Sequence, residues 1–228
     1  FSDIVVGARG DFTSNDNKGL VYIYKGSKAG LVTTPALVLE SEQPKSEFGR
    51  TLIAGDINGD GREDILYGYG WYERPAEGAT MRPWVRHADW TFAHASTPMI
   101  VVDLNGDGRN DIIWGHGHNY GLYWEEQRDP NKDGSTNWRH YVIDDKISQN
   151  HCLVWEDIDN DGKPDFCLTG ANRLVLVQNG GDTFIELAVP NLNGGARAAV
   201  WADYTGDGLP DLLAATTAAA ASASGSPG

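Results

Sequence analysis

The 228-residue chain is 40% hydrophobic and 10% aromatic, enough apolar material for a buried core, and its formal net charge is −14. Such an acidic balance argues against a nucleic-acid partner. No apolar run approaches the roughly 20 residues of a membrane-spanning helix, and this segment contains no signal-peptide pattern.

The first predicted strands are short and lie in the N-terminal fifth of the chain. Residues 3–7 look like the end of an acidic loop and the strand that follows it, with Asp3 as the last acidic ligand of that loop. Two runs rich in β-branched and aromatic residues, at 19–24 and 36–40, predict two more strands. The polar segment 8–18 between them is predicted to be a loop.

Sets of four short strands then recur. They are predicted at 50–55, 64–69, 70–74 and 84–88, at 98–102, 111–115, 121–126 and 138–143, and at 151–156, 165–169, 173–178 and 184–188. A fifth set begins with strands at 197–202 and 212–215. Four strands in each repeat of about 50 residues are typical of a β-propeller blade. The expected fold class is therefore all-β, a propeller of four-stranded blades with about five repeats visible.

The expected propeller occupies 1–217. The small residues of 218–228 cannot build a packed face and predict a tail or linker. Whether this chain closes a ring alone, or needs further blades or domains outside this segment, stays open at this point.

An acidic run of nine residues occurs four times between predicted strands, and successive copies start 47, 54 and 46 residues apart. Oxygen-bearing side chains stand at the first, third, fifth and ninth places. Glycine at the sixth place allows a sharp bend because it has no Cβ. The variable seventh residue is predicted to contribute its backbone carbonyl. The predicted metal ligands are Asp56, Asn58, Asp60, Arg62 and Asp64 in loop 1, Asp103, Asn105, Asp107, Arg109 and Asp111 in loop 2, Asp157, Asp159, Asp161, Lys163 and Asp165 in loop 3, and Asp203, Thr205, Asp207, Leu209 and Asp211 in loop 4.

Hard oxygen ligands in such a loop suit Ca²⁺, and the sequence predicts about four calcium sites. An EF-hand is excluded because its twelfth place requires a bidentate Glu between two helices. Here the flanks are predicted strands, and the twelfth places hold Tyr67, Trp114, Leu168 and Ala214. One copy alone would be equally typical of a metal-free turn, but four copies favour the metal.

Thirteen of the 32 acidic residues stand at predicted ligand places, so predicted metal binding accounts for much of the negative charge of the chain. Several calcium sites indicate an extracellular or cell-surface protein, where calcium is abundant. The fourth site is predicted to be the weakest because Thr205 offers an uncharged hydroxyl, whereas loop 3 contains four carboxylates.

The two cysteines, Cys152 and Cys167, lie on the predicted strands flanking loop 3. Their spacing is not a zinc motif. A disulfide across the hairpin and two buried thiols that act as small apolar side chains are both consistent with the sequence.

The string "DINGDGREDILYG" and its sibling loops resemble the FG-GAP and VCBS repeats, which include the head of integrin α chains. "DIVVGARG", "GLVYIYKGSKAGL" and "EFGRTLIAGDINGDG" are closest to the FG-GAP form. "GWYERP", "GHGHNYGLYWEEQ" and "WRHYVID" look more like VCBS proteins and, distantly, the propeller of fungal aldos-2-ulose dehydratases. The resemblance implies a calcium-loop propeller. It also implies that the calcium loops lie on one face of the disc and the connections between blades on the other.

That geometry predicts a ligand face opposite the calcium loops, where rings and polar groups suit sugars. Its predicted residues are His94, His116, His118, His151, Trp71, Trp90, Arg50 and Arg197. Two Trp/His pairs in outer strands, Trp84 with His87 and Trp138 with His140, are more typical of packing between blades. For His116 and His118, a turn-stabilising role is an equal alternative.

Three functions compete. The leading prediction is a non-catalytic, calcium-stabilised binding module for a glycan or an extracellular protein, because the sequence shows no nucleophile–base pair or strong catalytic motif. The first alternative is a carbohydrate-active lyase or dehydratase that uses the His-rich face. The second is a purely structural module of a larger secreted protein.

Overall fold

The structure is a computed structural model. It describes residues 2–8, 18–44, 46, 48–76, 83–92, 99–169, 174–181, 183–187 and 196–216, except the side chains of 196, 197 and 216. Within these ranges the regular elements are nineteen β-strands in antiparallel sheets. None of the described residues forms a helix long and apolar enough to span a membrane.

The first sheet has three strands in the order β1-β2-β5. These are β1 (Ile4–Ala8), β2 (Leu20–Tyr24) and β5 (Leu37–Glu40). A small separate ladder between β2 and β5 joins β3 (Gly26–Ser27) to β4 (Gly30–Leu31).

Three sheets of four strands follow, and in each the strands lie side by side in chain order. The second sheet contains β6 (Ile53–Gly55), β7 (Asp64–Tyr67), β8 (Gly70–Glu73) and β9 (Val85–His87). The third contains β10 (Met99–Val102), β11 (Asp111–Gly115), β12 (Tyr120–Arg128) and β13 (Asn137–Ser148). The fourth contains β14 (Leu153–Glu156), β15 (Asp165–Thr169), β16 (Leu174–Asn179) and β17 (Phe184–Leu187).

The described part of the fifth sheet has two strands, β18 (Ala196–Ala202) and β19 (Asp211–Thr216). The same register recurs where an acidic loop joins two strands. The last residue of the first strand pairs with the ninth-place Asp of the loop: Gly55 with Asp64, Val102 with Asp111, Glu156 with Asp165 and Ala202 with Asp211. All four loops therefore start and end on paired backbones.

The core lies between successive sheets. Phe48, Tyr67 and Tyr72 belong to a cluster between the first and second sheets. Separate clusters fill the spaces between the second and third sheets, the third and fourth, and the fourth and fifth. Sheets that stack face to face in chain order, each built as a meander, form the predicted β-propeller arrangement.

The predicted strands are confirmed, with small shifts at their ends. The β3–β4 ladder was not predicted, because two-residue strands carry no periodic pattern. The β12–β13 hairpin is longer than predicted, at nine and twelve residues. The predicted packing of tryptophans between blades is confirmed for Trp138, whose ring meets that of Trp90 edge-on with centroids 5.5 Å apart.

Candidate metal centre and ligand face

The four acidic loops share one hydrogen-bond pattern around the first-place carboxylate. In loop 1, the backbone N–H groups of Asp60 and Gly61 donate to the two carboxylate oxygens of Asp56 at 3.0 and 2.8 Å. The corresponding bonds of the other three loops are 2.8 to 3.1 Å long. In all four, the seventh-place N–H donates to Oδ1 of the fifth-place Asp at 2.9 Å. The loops are thus folded around their acidic side chains.

Positive φ angles make this turn. The sixth-place glycines have φ between 82° and 86°. The residue at the fourth place of each loop also has a positive φ angle. It is glycine in three loops and Asn160 in loop 3, where φ is 57°. Asn tolerates the left-handed region better than other non-glycine residues do, which explains its presence at that place.

In loops 1 to 3, the ninth-place Asp links the loop to the end of the third strand of its sheet. In loop 2, Oδ2 of Asp111 accepts the N–H of Leu104 at 3.2 Å, and Oδ1 accepts the N–H of Gln127, at the end of β12, at 2.8 Å. Asp64 and Asp165 have the corresponding two bonds. Asp3 shows one of them, because its Oδ1 accepts the N–H of Gly26 at 3.0 Å. This contact matches the predicted ninth-place role of Asp3.

Burial changes the acidity of these carboxyls. It raises the pKa of Asp64 to about 6 and the pKa of Asp111 to about 7, and it also raises the pKa of Asp165. In loop 4 the backbone N–H of Thr205, together with weaker contacts, lowers the pKa of Asp211 instead. A cation close to the carboxyl groups of Asp64, Asp111 and Asp165 would favour their ionised forms and so lower their pKa values.

The donor set of loop 3 fits a hard divalent cation. Carboxylate oxygens of Asp157, Asp159 and Asp165 lie within 4.8 Å of one another, and among the described residues they form the one group that meets this condition. Convergent carboxylates of this kind suit calcium, which prefers several oxygen ligands. When bound, the ion would supply charge neutralisation, and these three side chains would hold it.

Basic side chains at the seventh place lie against the fifth-place carboxylates in three loops. The guanidinium groups of Arg62 and Arg109 donate to Asp60 and Asp107, the second at 2.6 Å, and Lys163 Nζ lies 2.7 Å from Asp161. The hydrogen bond from Lys163 lowers the pKa of Asp161. These cations offset part of the repulsion within each loop, whereas loop 4 has Leu209 at that place.

A fifth run with the same spacing was missed in the sequence, from Asp129 to Asn137. Its Gly134 has φ of 82°, and Ser135 N–H donates to Asp133 Oδ1 at 3.0 Å, as in the other loops. The first-place carboxylate differs: Asp129 is 92% exposed and accepts a hydrogen bond from Arg109 at 3.1 Å. The Gly134 N–H donates to the Asn131 carbonyl instead. This run is therefore the turn of the β12–β13 hairpin, with a different arrangement of its acidic groups.

At the other end of the sheets, the β11–β12 turn meets the segment before β14. The rings of His118 and His151 lie with centroids 5.4 Å apart. Asn150 is buried, its side chain donates to the Gly121 carbonyl at 3.1 Å, and its N–H donates to the His116 carbonyl at 3.0 Å. The structure thus brings together three of the predicted ligand-face histidines. His116 also makes edge-on ring contacts with Trp114 and Tyr123.

The other predicted ligand-face residues are placed differently. Trp71 and Trp90 are 2% and 9% exposed and belong to the core between the second and third sheets. Trp71 stacks on His87 at 4.0 Å, so its flat apolar ring serves packing rather than an exposed face. Arg50 is exposed. His94 and the side chain of Arg197 lie outside the described residues.

Both cysteines are free thiols. Cys167 is fully buried, which raises its pKa to about 12. Cys152 packs in the same cluster, with its sulfur 3.4 Å from the N and O atoms of Ala199. The structure therefore matches the alternative of two thiols that act as apolar side chains.

The motif in these loops matches known family models. Residues 103–168 and 157–214 match the FG-GAP-like repeat, and residues 48–79 match the FG-GAP repeat. The chain belongs to the FG-GAP repeat family. The acidic loops described above lie within the matched ranges, so the predicted resemblance to FG-GAP repeats is confirmed.

Curated relatives match through part of the FG-GAP region. Integrin alpha-7 of Rattus norvegicus is 43% identical over 70 residues, which are 30% of this chain and 6% of the integrin. Phosphatidylinositol-glycan-specific phospholipase D of Homo sapiens is 38% identical over 52 residues, which are 22% of this chain and 6% of that protein. The chain spans only a small part of either relative.

A solved structure has a similar fold over most of the chain. It is a lectin of Agrocybe aegerita that specifically recognises non-reducing terminal N-acetylglucosamine. The TM-score is 0.50 at 17% sequence identity, and the match covers 93% of this chain and 60% of the lectin chain. At this identity the match supports the propeller fold.

Proposed function

We propose that this FG-GAP chain is a calcium-stabilised extracellular binding module that recognises a glycan through the face opposite its calcium loops. The observation that carries the proposal is a group of three rings and one amide side chain where the β11–β12 turn meets the segment before β14; His118, Tyr120 and Gln149 are exposed and His151 is half-buried. We call this group, formed by His118, Tyr120, Gln149 and His151, the ring patch.

The calcium part of the proposal assigns one Ca²⁺ to each of the four loops. Its support is the hydrogen-bond pattern that the four loops share and the convergent carboxylates of loop 3. Each ion would neutralise carboxylates that otherwise repel one another at the edge of a sheet. The four ions would then stabilise the folded state, because they bind the folded chain and not the unfolded chain.

The strand directions support a separation between the loops and the ring patch. In the third sheet, loop 2 ends at Asp111 and the β11–β12 turn begins after Gly115, at the other end of the same strand. In the fourth sheet, β14 runs from Leu153, next to His151, towards loop 3. The ring patch therefore lies at the strand ends remote from the loops.

The ring patch has the composition and rigidity that sugar recognition needs. Tyr120 is 60% exposed, and His118 and Gln149 are also exposed. The two segments are held together by the bonds of the buried Asn150 described above. Aromatic rings offer an apolar surface to a sugar, while imidazole and amide groups can bond its hydroxyls. Rigid loops reduce the entropy cost of binding.

The comparisons bear on the ligand class. The similar fold of an N-acetylglucosamine-specific lectin favours a glycan, and the partial match to an integrin makes an extracellular protein the second candidate. Because the chain spans only part of its relatives, this proposal concerns the module and not a whole protein.

The proposal is tested on a glycan array that includes glycans with terminal N-acetylglucosamine. We expect binding by the wild type and at least about tenfold weaker binding by His118→Ala, His151→Ala and Tyr120→Ala. Val142→Ala, at a 57% exposed position of β13, is the matched control and should bind as the wild type does. Wild-type protein that binds no glycan would overturn the glycan assignment. Turnover of a keto-sugar or uronic polysaccharide that is lost in His151→Ala would support the enzyme instead.

A further inference from the structure

The third-place side chains of loops 2 and 3 each contact a residue of a neighbouring strand. In loop 2, Asn105 Nδ2 donates to Glu126 Oε1 at 3.2 Å. In loop 3, Asp159 Oδ2 accepts a hydrogen bond from Gln178 Nε2. Glu126 lies on β12 and Gln178 on β16, the third strands of their sheets.

Glu126 and Gln178 occupy corresponding positions. Each directly precedes the residue whose N–H donates to the ninth-place Asp, which is Gln127 in the third sheet and Asn179 in the fourth. The two pairs therefore have the same place in the fold but opposite chemistry. Loop 2 has an amide in the loop and a carboxylate on the strand, and loop 3 has the reverse.

The two third-place side chains also have the same orientation. Oδ1 of Asn105 accepts the N–H of Asp107 at 3.0 Å, and Oδ1 of Asp159 accepts the N–H of Asp161 at 3.2 Å. One oxygen of each side chain thus points into its loop. The other terminal atom, nitrogen in loop 2 and oxygen in loop 3, contacts the strand, and the Asn105 nitrogen also donates to Asp107 Oδ2 within its loop at 3.3 Å.

We propose that Glu126 and Gln178 are positioning residues for calcium. Each holds the outer atom of a third-place side chain, so that the inner oxygen faces the metal, and the pairing requires one amide and one carboxylate. This inference rests on the proposed binding of calcium by the loops.

The pairing also changes the number of carboxylates near each site. Loop 3 has one more carboxylate than loop 2 in the sequence, and Glu126 places an additional carboxylate beside loop 2 from a strand. Glu126 is buried, and its carboxylate is also held by Arg128 at 2.8 Å and by the Tyr141 hydroxyl at 3.0 Å. Because Arg128 offsets much of this charge, Glu126 should act on the second site by orienting Asn105 rather than by adding net negative charge.

Loops 1 and 4 lack this arrangement in the described part of the chain. The residue of β8 that corresponds to Glu126 is Glu73, which lies 2.8 Å from His87 Nε2. Asn58 donates to Asp60 within its loop, as Asn105 does to Asp107, but among the described residues it does not bond to Glu73. The described fifth sheet has two strands and offers loop 4 no third-strand partner. The positioning role is thus specific to loops 2 and 3.

A double-mutant cycle in the full chain tests the pairing without metal. In EDTA, Asn105→Asp places two carboxylates face to face, and we expect the melting temperature to fall by about 2–4 °C. The loss should be at least halved when Glu126→Gln is also present. The mirror change, Gln178→Glu, should lower the melting temperature in the same way, and adding Asp159→Asn should recover it. The pairing would be overturned if Asn105→Asp lowered the melting temperature equally with and without Glu126→Gln, and Gln178→Glu did so equally with and without Asp159→Asn.

Calorimetric titration with calcium chloride supplies the second readout. We expect Glu126→Gln to weaken one site about tenfold, a typical effect of losing an outer-shell partner. The swap Asn105→Asp/Glu126→Gln should bring that site back to within about threefold of the wild type. Asp145→Asn, which removes one exposed charge from β13, should leave all sites unchanged. If Asp145→Asn weakens a site as much as Glu126→Gln does, the loss of calcium affinity comes from the change in net charge, and the positioning role is overturned.

The two proposals fail in different ways. Wild-type protein that takes up no calcium would overturn the calcium part of the proposed function before any variant is compared. Calcium uptake by the wild type together with additive effects in both cycles would overturn the positioning role alone.

Discussion

At the residue scale, the buried ninth-place carboxyls make stability depend on pH. Asp64 and Asp111 have pKa values raised by burial to about 6 and about 7, against 3.8 for the same groups in the unfolded chain. Between about pH 4 and 7, the folded metal-free protein retains protons that the unfolded chain has released. Its stability must therefore fall as the pH rises through this window.

Thermal unfolding in EDTA checks this sign. We expect a lower melting temperature at pH 8 than at pH 5, and a smaller difference for Asp111→Asn, which cannot ionise. In excess calcium the trend should reverse, because the ion binds the carboxylates only after they lose their protons. A melting temperature that rises from pH 5 to pH 8 in EDTA would contradict the assignment of raised pKa values.

The fourth site is predicted to be the weakest. Thr205 contributes no charge, Leu209 is not basic, and Asp211 is less buried than its counterparts in the other loops. On stepwise chelation we expect loop 4 to lose calcium first, so that Asp203→Ala removes the weakest step of a calcium titration. Asp157→Ala should remove a tighter step. Loss of the tightest step in Asp203→Ala would show that ligand charge does not set the order.

The sequence was sufficient to predict the residues of the acidic loops, since their spacing repeats four times. It was not sufficient for their partners. Glu126 and Gln178 lie 21 and 19 residues from the side chains they contact, and only the strand register brings them together. Trp71 was assigned to the ligand face from the geometry that the family resemblance implies, but its ring lies in the core between the second and third sheets.

At the element scale, the strands were predictable because turns and short apolar runs alternate regularly. The β12–β13 hairpin extends further than predicted because polar residues such as Gln127, Arg128 and Asp144 continue the ladder beyond the apolar run. Burial then distinguishes the strands. The second strands of the three four-stranded sheets are buried throughout, whereas the outer strands are partly exposed.

A pair of substitutions in the fourth sheet tests this difference. Phe166 on β15 is fully buried in the cluster between the third and fourth sheets, and Ile185 on β17 is 50% exposed. We expect Phe166→Ala to lower the free energy of unfolding by about 3–5 kcal/mol. Ile185→Ala should change it by no more than about 0.5 kcal/mol. Denaturant unfolding measures both, and similar losses would contradict the assigned core.

At the scale of the whole molecule, apolar packing and acidic loops act on different parts of the same sheets. The apolar clusters join each sheet to the next, while each loop closes the edge between the first and second strands of one sheet. The formal charge of −14 is concentrated at those loops. Removal of calcium should therefore weaken every sheet that carries a loop and leave the apolar interfaces in place.

The most direct test of this account is thermal unfolding of the wild-type protein at low ionic strength, in 1 mM calcium chloride and in excess EDTA. A ligand at a hundredfold excess over its dissociation constant stabilises the folded state by about 2.7 kcal/mol per site. We predict a melting temperature at least about 5 °C higher in calcium, with magnesium chloride at the same concentration as the ionic-strength control. Equal melting temperatures in calcium and EDTA would contradict the claim that the four loops are calcium sites that stabilise this propeller.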